Sequence, residues 1–299
     1  MDRFLAMNVY VAVAEEESFA AAARRLGMSP PAVTRAVAAL ERHLNVRLLT
    51  RTTRFVRATD AGRRYLEHAR RIIAAADEGD AAAAGAHATP RGQLTITAPV
   101  LFGRMYVTPG IVDYLRRYPD VSVSALLLDR MVNLLEEGVD VGVRIGELPD
   151  SGLRAVGVGH VRRVVCASPA YLKAHGAPKS PRDLARHCIV ASNAVTPSSE
   201  WQFGSGRSTL SVRVKPRLTV TNNEAAIVAA VAGFGVTRLL SYQTAPYVAG
   251  GQLKVVLQDY EPARLPVHIV HGEGGHASAK VRAFVDLLAA KLRADKALH

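Results

Sequence analysis

Apolar residues recur at helical spacing through the first part of the chain. Leu5, Val9 and Val13 fall on one face at i, i+4 intervals, behind an Asp2 placed to cap the first turn. A second helix over AAAARRL starts after Ser18 as its cap and stops at Gly27, the residue type that takes a left-handed backbone without penalty. Ser29 opens a third helix with Pro30 at its first position, where a missing N–H leaves no bond unmade. Val33, Val37, Leu40 and Leu44 form the buried stripe of that helix. VRLLTRTTRFVRAT then alternates with period two, as two short strands around a basic turn do. Thr59 or Asp60 caps a longer helix running to about Ala84. On it, Leu66, Ala69, Ile73 and Ala76 make a heptad-like seam, suited to pairing with a second copy or to lying on the domain's own core.

The pattern changes after this helix. AAAAGAHATPRG holds Gly85, Pro90 and Gly92 and no large apolar residue, and reads as a linker. From Gln93, short apolar runs (QLTITA, VSVSALLL, VDVGVRI, RRVVCAS, CIVAS, LTVT, KVVL, VHIVH) are interspersed with helical segments at Gly103–Arg117, Pro181–Arg186, Asn223–Ala232 and Ala277–Leu292. Strands alternating with helices predict an α/β domain behind an α-rich N-terminal part. The division expected is 1–59, a helix and hinge at 60–90, and an α/β domain at 91–299.

Composition narrows the classes. The chain has 299 residues, 49% of them hydrophobic and 21% charged, enough for more than one core. No apolar run reaches the roughly 18 residues of a membrane span, and the N-terminus lacks the features of a signal peptide; a cytoplasmic location is expected. Two cysteines, Cys166 and Cys188, exclude a disulfide scaffold. The net charge of +12 suggests a polyanionic partner. Its distribution is uneven: nine arginines stand against three acids over residues 41–71, yet residues 1–90 net only +3 and the remaining +9 lies after residue 90, so charge alone does not mark the N-terminal part.

The pattern of the N-terminal part suggests DNA binding, against the alternative of a small helical subdomain with a solvated basic face. Two helices joined by LGMSPPA make a helix-turn-helix, with Pro31, Thr34 and Arg35 on the outer face of the second. Thr34 and Arg35 are placed to meet base edges, Arg through a bidentate bond to guanine. Arg51, Thr52, Thr53 and Arg54 form a basic turn suited to phosphate and minor-groove contact. Ser18 and Ser29, together with Pro30, lie at helix starts, where N–H groups can face phosphate.

SFAAAARRLGMSPPAVTRAVAALERHLNVRLLTRTTRFVRATDAGRRYLEHAR resembles the N-terminal signature of LysR-type transcriptional regulators. DVGVRIGELPDSGL, RRVVCASPAYL and EAAIVAAVAGFGVTRLLSY resemble blocks of that family's effector domain. The resemblance implies a winged helix-turn-helix, a dimerising linker helix and a two-lobed domain like periplasmic binding proteins. Lobe I would span 91–161 and 267–299, and lobe II 162–266. It implies double-stranded operator DNA, a small-molecule effector and RNA polymerase as partners, a homodimer or homotetramer, and neither enzymatic activity nor a cofactor or metal. The effector cleft would be lined by Pro99, Val100, Leu101, Phe102, Arg144, Trp201, Asn222 and Asn223. Family members commonly carry Ser or Thr where this chain has Val100 and Leu101, which leaves backbone N–H groups of the following helix as anion donors. Arg144 would pair with an acidic effector or form a hinge contact. Trp201 would be a cleft wall or core, and Asn223 an N-cap or a ligand contact.

Three other classes compete. An enzyme lacks support, because no Gly-rich phosphate loop, nucleophile elbow or zinc-binding helix motif occurs, and the glycine-rich context of His271 and His276 reads as a loop rather than a rigid metal site. A thiol-based redox sensor would rest on Cys166 in an apolar run and on Cys188 beside Arg186 and His187. A nonspecific DNA binder would use charge alone and leave the α/β domain without a purpose.

Overall fold

In the computed structural model, the described residues are 2–51, 55–83, 89–193, 200–204, 209–272 and 277–298. They form two units, residues 1–88 and 89–299.

The first unit consists of α1 (Arg3–Glu16), α2 (Phe19–Leu26), α3 (Pro30–Leu44), a hairpin of β1 (Leu49–Arg51) and β2 (Val56–Ala58), and α4 (Asp60–Ala83). Its polar signals act as their residue types predict. Asp2, Ser18 and Ser29 each accept a bond from the backbone N–H three residues on. Gly27 takes a left-handed φ of 62° between α2 and α3. Val33, Val37 and Leu40 are buried, and Leu44 packs at the margin. The face of α1 is shifted from expectation. Leu5 is exposed, and Ala6, Val9, Tyr10 and Val13 carry the burial, because this i, i+3, i+4, i+7 stripe is the one that meets α3 and α4.

Side chains lock the hairpin to the helices. Glu41 on α3 accepts from Leu48 N–H at 2.8 Å and Leu49 N–H at 3.0 Å. Thr59, not Asp60, caps α4: its Oγ1 accepts from Gly62 N–H at 2.9 Å and donates to the Arg47 carbonyl at 2.8 Å. The Gly62 carbonyl accepts the Tyr10 hydroxyl at 2.8 Å. A Cβ on Gly62 would lie 2.0 Å from the Leu48 carbonyl oxygen, so only glycine allows α4 to start this close to the hairpin.

The expected seam on α4 is partly committed elsewhere. Ala69 is fully buried and Leu66 packs on the unit's own core, because α4 lies along α1. Ile73 and Ala76 are half-buried, and the neighbouring Ile72 is exposed.

The second unit begins with β3 (Gly92–Ala98), α5 (Val100–Phe102), a π-helical turn at Gly103–Val107, α6 (Thr108–Arg117), β4 (Val121–Leu127), β5 (Val141–Ile145) and β6 (Arg154–Val161). It crosses into β7 (Arg163–Ala167), α7 (Pro169–His175), β8 (Ile189–Ser192), β9 (Glu200–Phe203), β10 (Leu210–Arg213) and β11 (Pro216–Val220). Then follow α8 (Asn223–Val231), β12 (Val236–Leu240), α9 (Ser241–Ala249) and β13 (Lys254–Val256), and the chain returns through β14 (Leu265–His271) to α10 (Ala279–Arg293).

Two five-stranded mixed sheets result, ordered β4-β3-β5-β14-β6 and β11-β8-β12-β7-β13. Each is the sheet of one lobe. The return strand starts at Leu265, two residues before the expected boundary at Val267. The crossovers run through 162 and 261–264, where the Arg162 guanidinium meets both Glu261 carboxylate oxygens at 2.9 and 3.0 Å. Glu261 is only 13% exposed, so this pair ties the crossovers together in a partly dry setting. A knot of rings also joins the lobes. Phe102 lies 4.8 Å from Tyr106 and 5.2 Å from Tyr242, centroid to centroid.

Candidate functional site

Two surfaces stand out, one on each unit. On the first, α3 presents Ser29, Pro30, Pro31 and Arg35 to solvent, with Thr34 half-buried beside them. Arg35 has no ion pair among the described residues. Its neighbours on α2 and α4 differ: Arg25 and Arg70 are held by Glu15 at 2.8 Å each. The hydroxyls of Ser18 and Ser29 are turned to their own helices, accepting from Ala21 N–H at 3.3 Å and Ala32 N–H at 3.4 Å. The turn residues Thr52, Thr53 and Arg54, and the side chain of Arg51, lie outside the described residues.

On the second unit, a cavity of about 460 Å³ opens between the two sheets. That size falls within the roughly 300–1,000 Å³ range of small-molecule pockets. Of the residues expected there, Pro99, Arg144 and Asn223 line it. The others are placed differently, for local reasons. Leu101 and Phe102 point into the core that α5 covers. The Val100 N–H, expected to meet an anion, already donates to Asp129 Oδ1 at 3.0 Å. Trp201 is buried in the lobe II core because β9 alternates, sending Trp201 and Phe203 inward and Glu200 and Gln202 to the cavity side. Asn222 is the N-cap of α8, accepting from Ala225 N–H at 2.8 Å, and Asn223 is the helix's first residue. Arg144 is held by the main chain, donating to the Val132 carbonyl at 2.7 Å. Burial lowers its guanidinium pKa, and the nearby Glu137 carboxylate partly offsets this.

The sequence reading missed Arg163 and Arg238, which also line the cavity. A signal was available for Arg238, a lone cation inside the apolar run GVTRLL, where a charge is costly unless it serves a purpose; Arg163 sits beside Arg162 at the start of RRVVCAS and carries no such mark. Arg238 lies over the Trp201 ring, 4.9 Å from its centroid, and donates to the Gln202 carbonyl at 3.3 Å. Burial, and after it the like charge of Arg163, pull the Arg238 pKa down to about 10. Burial alone lowers that of Arg163.

Known proteins share both domains and their order. Residues 4–63 match the model of the bacterial regulatory helix-turn-helix protein of the lysR family, and residues 87–293 match the LysR substrate binding domain. The chain belongs to the LysR family. Among this LysR-family chain's relatives is an HTH-type transcriptional repressor of Pseudomonas aeruginosa, 33% identical over 96% of this chain and 91% of the relative. Another is the HTH-type transcriptional activator TtdR of Escherichia coli, 31% identical over 95% and 92%. Among solved structures, CrgA, a LysR-type transcriptional regulator from Neisseria meningitidis, is 30% identical with a TM-score of 0.62, covering 96% of this chain and 98% of that one. Full-length AphB of Vibrio cholerae shares the fold, with a TM-score of 0.61 at 24% identity over 95% and 98%.

The LysR-family assignment makes the chain a transcriptional regulator rather than an enzyme. Among the described residues no cluster of metal-ligating side chains occurs, and no helix is long and apolar enough to cross a membrane.

Proposed function

We propose that the chain is a sequence-specific DNA-binding regulator whose affinity for its operator is set by a small molecule held between the two lobes. The observation that carries the reading is α3. It is a capped helix with a buried valine stripe, rigidly tied to the hairpin through Glu41, and it leaves Arg35 exposed and without an ion pair among the described residues. Such a helix suits a major groove, where Arg35 would read a guanine and Thr34 a thymine methyl. The basic turn at 51–54 would touch phosphate or the minor groove. A homodimer or homotetramer would place paired helices one DNA turn apart, with Ile72, Ile73 and Ala76 as the part of α4 left for a second copy. Contact with RNA polymerase would follow at a promoter.

Effector closure of the cleft would act through the ring knot and the Arg162–Glu261 pair, which join the lobes and would shift with them. The thiol-sensor reading gains no support from Cys166, which is fully buried with its thiol pushed up to about 12 by burial.

Selection of bound fragments from random duplex DNA, at near-physiological salt, tests the proposal. A partly symmetric enriched motif is expected. Binding with no enrichment, falling away as salt rises and unchanged by any small-molecule pool, would leave a charge-driven binder instead.

A further inference from the structure

The cleft's arginines are unequally committed. Arg130 is paired with Glu137 at 2.6 Å, and Arg144 is bonded to main-chain carbonyls. Arg163 and Arg238 have no carboxylate within ion-pair distance among the described residues. They project from neighbouring strands of the lobe II sheet. In the antiparallel register Arg163 lies opposite Leu240, and Arg238 opposite Val165. The two arginines therefore share one face as diagonal neighbours, a spacing of roughly 7–8 Å. Trp201 beneath Arg238 fixes the direction of its fork. Two like charges held close together, the exposed Arg163 beside the half-buried Arg238, raise the free energy of the empty cleft, and an anion between them removes that cost.

The opposite wall does not compete for the same group. The first N–H of α5 is already bonded to Asp129, so lobe I presents a carboxylate where a donor was expected. Asp129 and Glu200 both line the cavity, which disfavours a polyanion. The rest of the lining is mixed: Ile145, Leu265, Pro262 and a Met131 that is 71% exposed give an apolar stretch, beside the polar Ser192, Gln202, Asn223 and Gln243.

Resting on the reading of this cleft as the effector site, we propose that the effector is an organic monocarboxylate with an apolar body. Its carboxylate is clamped by Arg163 and Arg238 on lobe II, and its body lies on Ile145, Met131 and Leu265. Two guanidinium forks match the two oxygens of one carboxylate, an arrangement a neutral amide cannot reproduce.

The test uses the full chain in calorimetric titration and thermal melting at fixed ionic strength, with benzoate and hexanoate as probes and benzamide and hexanamide as neutral counterparts. The carboxylates are expected to bind and raise the melting temperature, and the amides to do neither. Arg163→Gln and Arg238→Gln should each weaken carboxylate binding by at least about tenfold. Arg116→Gln, on the exposed face of α6, should leave it unchanged. Arg238 also covers Trp201, so the more exposed Arg163 keeps the test valid if Arg238→Gln fails to fold. Asp129→Asn should hold or tighten binding, since it removes a negative charge from the wall. Equal binding of acids and amides, no binding of either acid, or full affinity in Arg163→Gln would overturn the proposal. DNA binding separates the two readings. Arginine-dependent carboxylate binding that leaves operator affinity unchanged supports the anion clamp and sinks the regulatory reading. A neutral compound that fills the cleft and alters operator affinity, where both acids fail, does the reverse.

Discussion

Arg35 stands on an exposed helix face with no ion pair among the described residues, whereas Arg238, half-buried over Trp201, leans into a cavity where burial and the like charge of the more exposed Arg163 lower its pKa. One residue type thus meets two different electrostatic environments. An exposed guanidinium in water acts through a field that salt screens within about 8 Å at physiological ionic strength. A partly desolvated one acts at contact, through directed hydrogen bonds, and is screened much less. The net charge of +12 does not distinguish these uses, because it counts both alike.

Ionic strength should separate them most strongly. If the DNA complex makes six to ten phosphate contacts, raising salt from about 50 to 200 mM should weaken it by roughly 10³–10⁵-fold. Carboxylate binding in the cleft should change by less than about tenfold over the same range. Both are read by titrating the same preparation at several chloride concentrations. A shallow DNA slope, or a cleft affinity that falls as steeply as the DNA affinity, would erase the contrast.

The next largest effect is expected from Gly62→Ala. Its new methyl group would overlap the Leu48 carbonyl, so α4 must move off the hairpin, at a cost of about 3 kcal/mol to the first unit. DNA binding should fall while cleft binding persists, as measured by melting and by carboxylate titration. A variant that melts and binds DNA like the parent would show that the close approach is dispensable.

Arg35→Ala follows, with an expected loss of about 1–3 kcal/mol in discrimination at one base pair and little change in the melting temperature. The measurement is operator affinity against single-base variants. Equal loss across all sequences would make Arg35 a phosphate contact rather than a reader.

The two regions also differed in how far the sequence exposed them. The first unit is built from local rules: caps at Asp2, Ser18 and Ser29, a stop at Gly27 and a valine stripe at helical spacing. Each signal lies within a few residues of the element it sets, so the pattern was readable. The one local error, Leu5, arose because two overlapping stripes on α1 are both apolar and only the position of α3 and α4 chooses between them. The cleft is assembled from strands far apart in the chain. β6, β9, β10 and β12 went unrecognised as strands; β6 carries glycines and a register shift against β14, and β12 carries an arginine in an apolar run. Trp201 stayed undecided between cleft wall and core for a related reason. The parity of β9 decides which residues face the cavity, and parity cannot be assigned before the strand is found. The capture of Val100 N–H by Asp129 joins residues 29 positions apart and has no local signature.

The smallest expected effects come from the same cap chemistry placed in both regions. Ser29 caps α3 at 3.4 Å and Asn222 caps α8 at 2.8 Å. Replacing either with alanine leaves one helix N–H without its partner and should cost about 1 kcal/mol of stability. The consequences should then diverge. Ser29 is exposed at the end of α3 that would enter a groove, so Ser29→Ala should weaken operator binding as well as stability. Asn222 is exposed at the start of α8 and does not line the cavity, so Asn222→Ala should lower lobe II stability while carboxylate affinity stays within about twofold. Melting and both titrations on the two variants decide the matter. Were Asn222→Ala to weaken carboxylate binding as much as Arg163→Gln, the anion would have to sit against the start of α8, and the two arginines would be supports rather than the clamp.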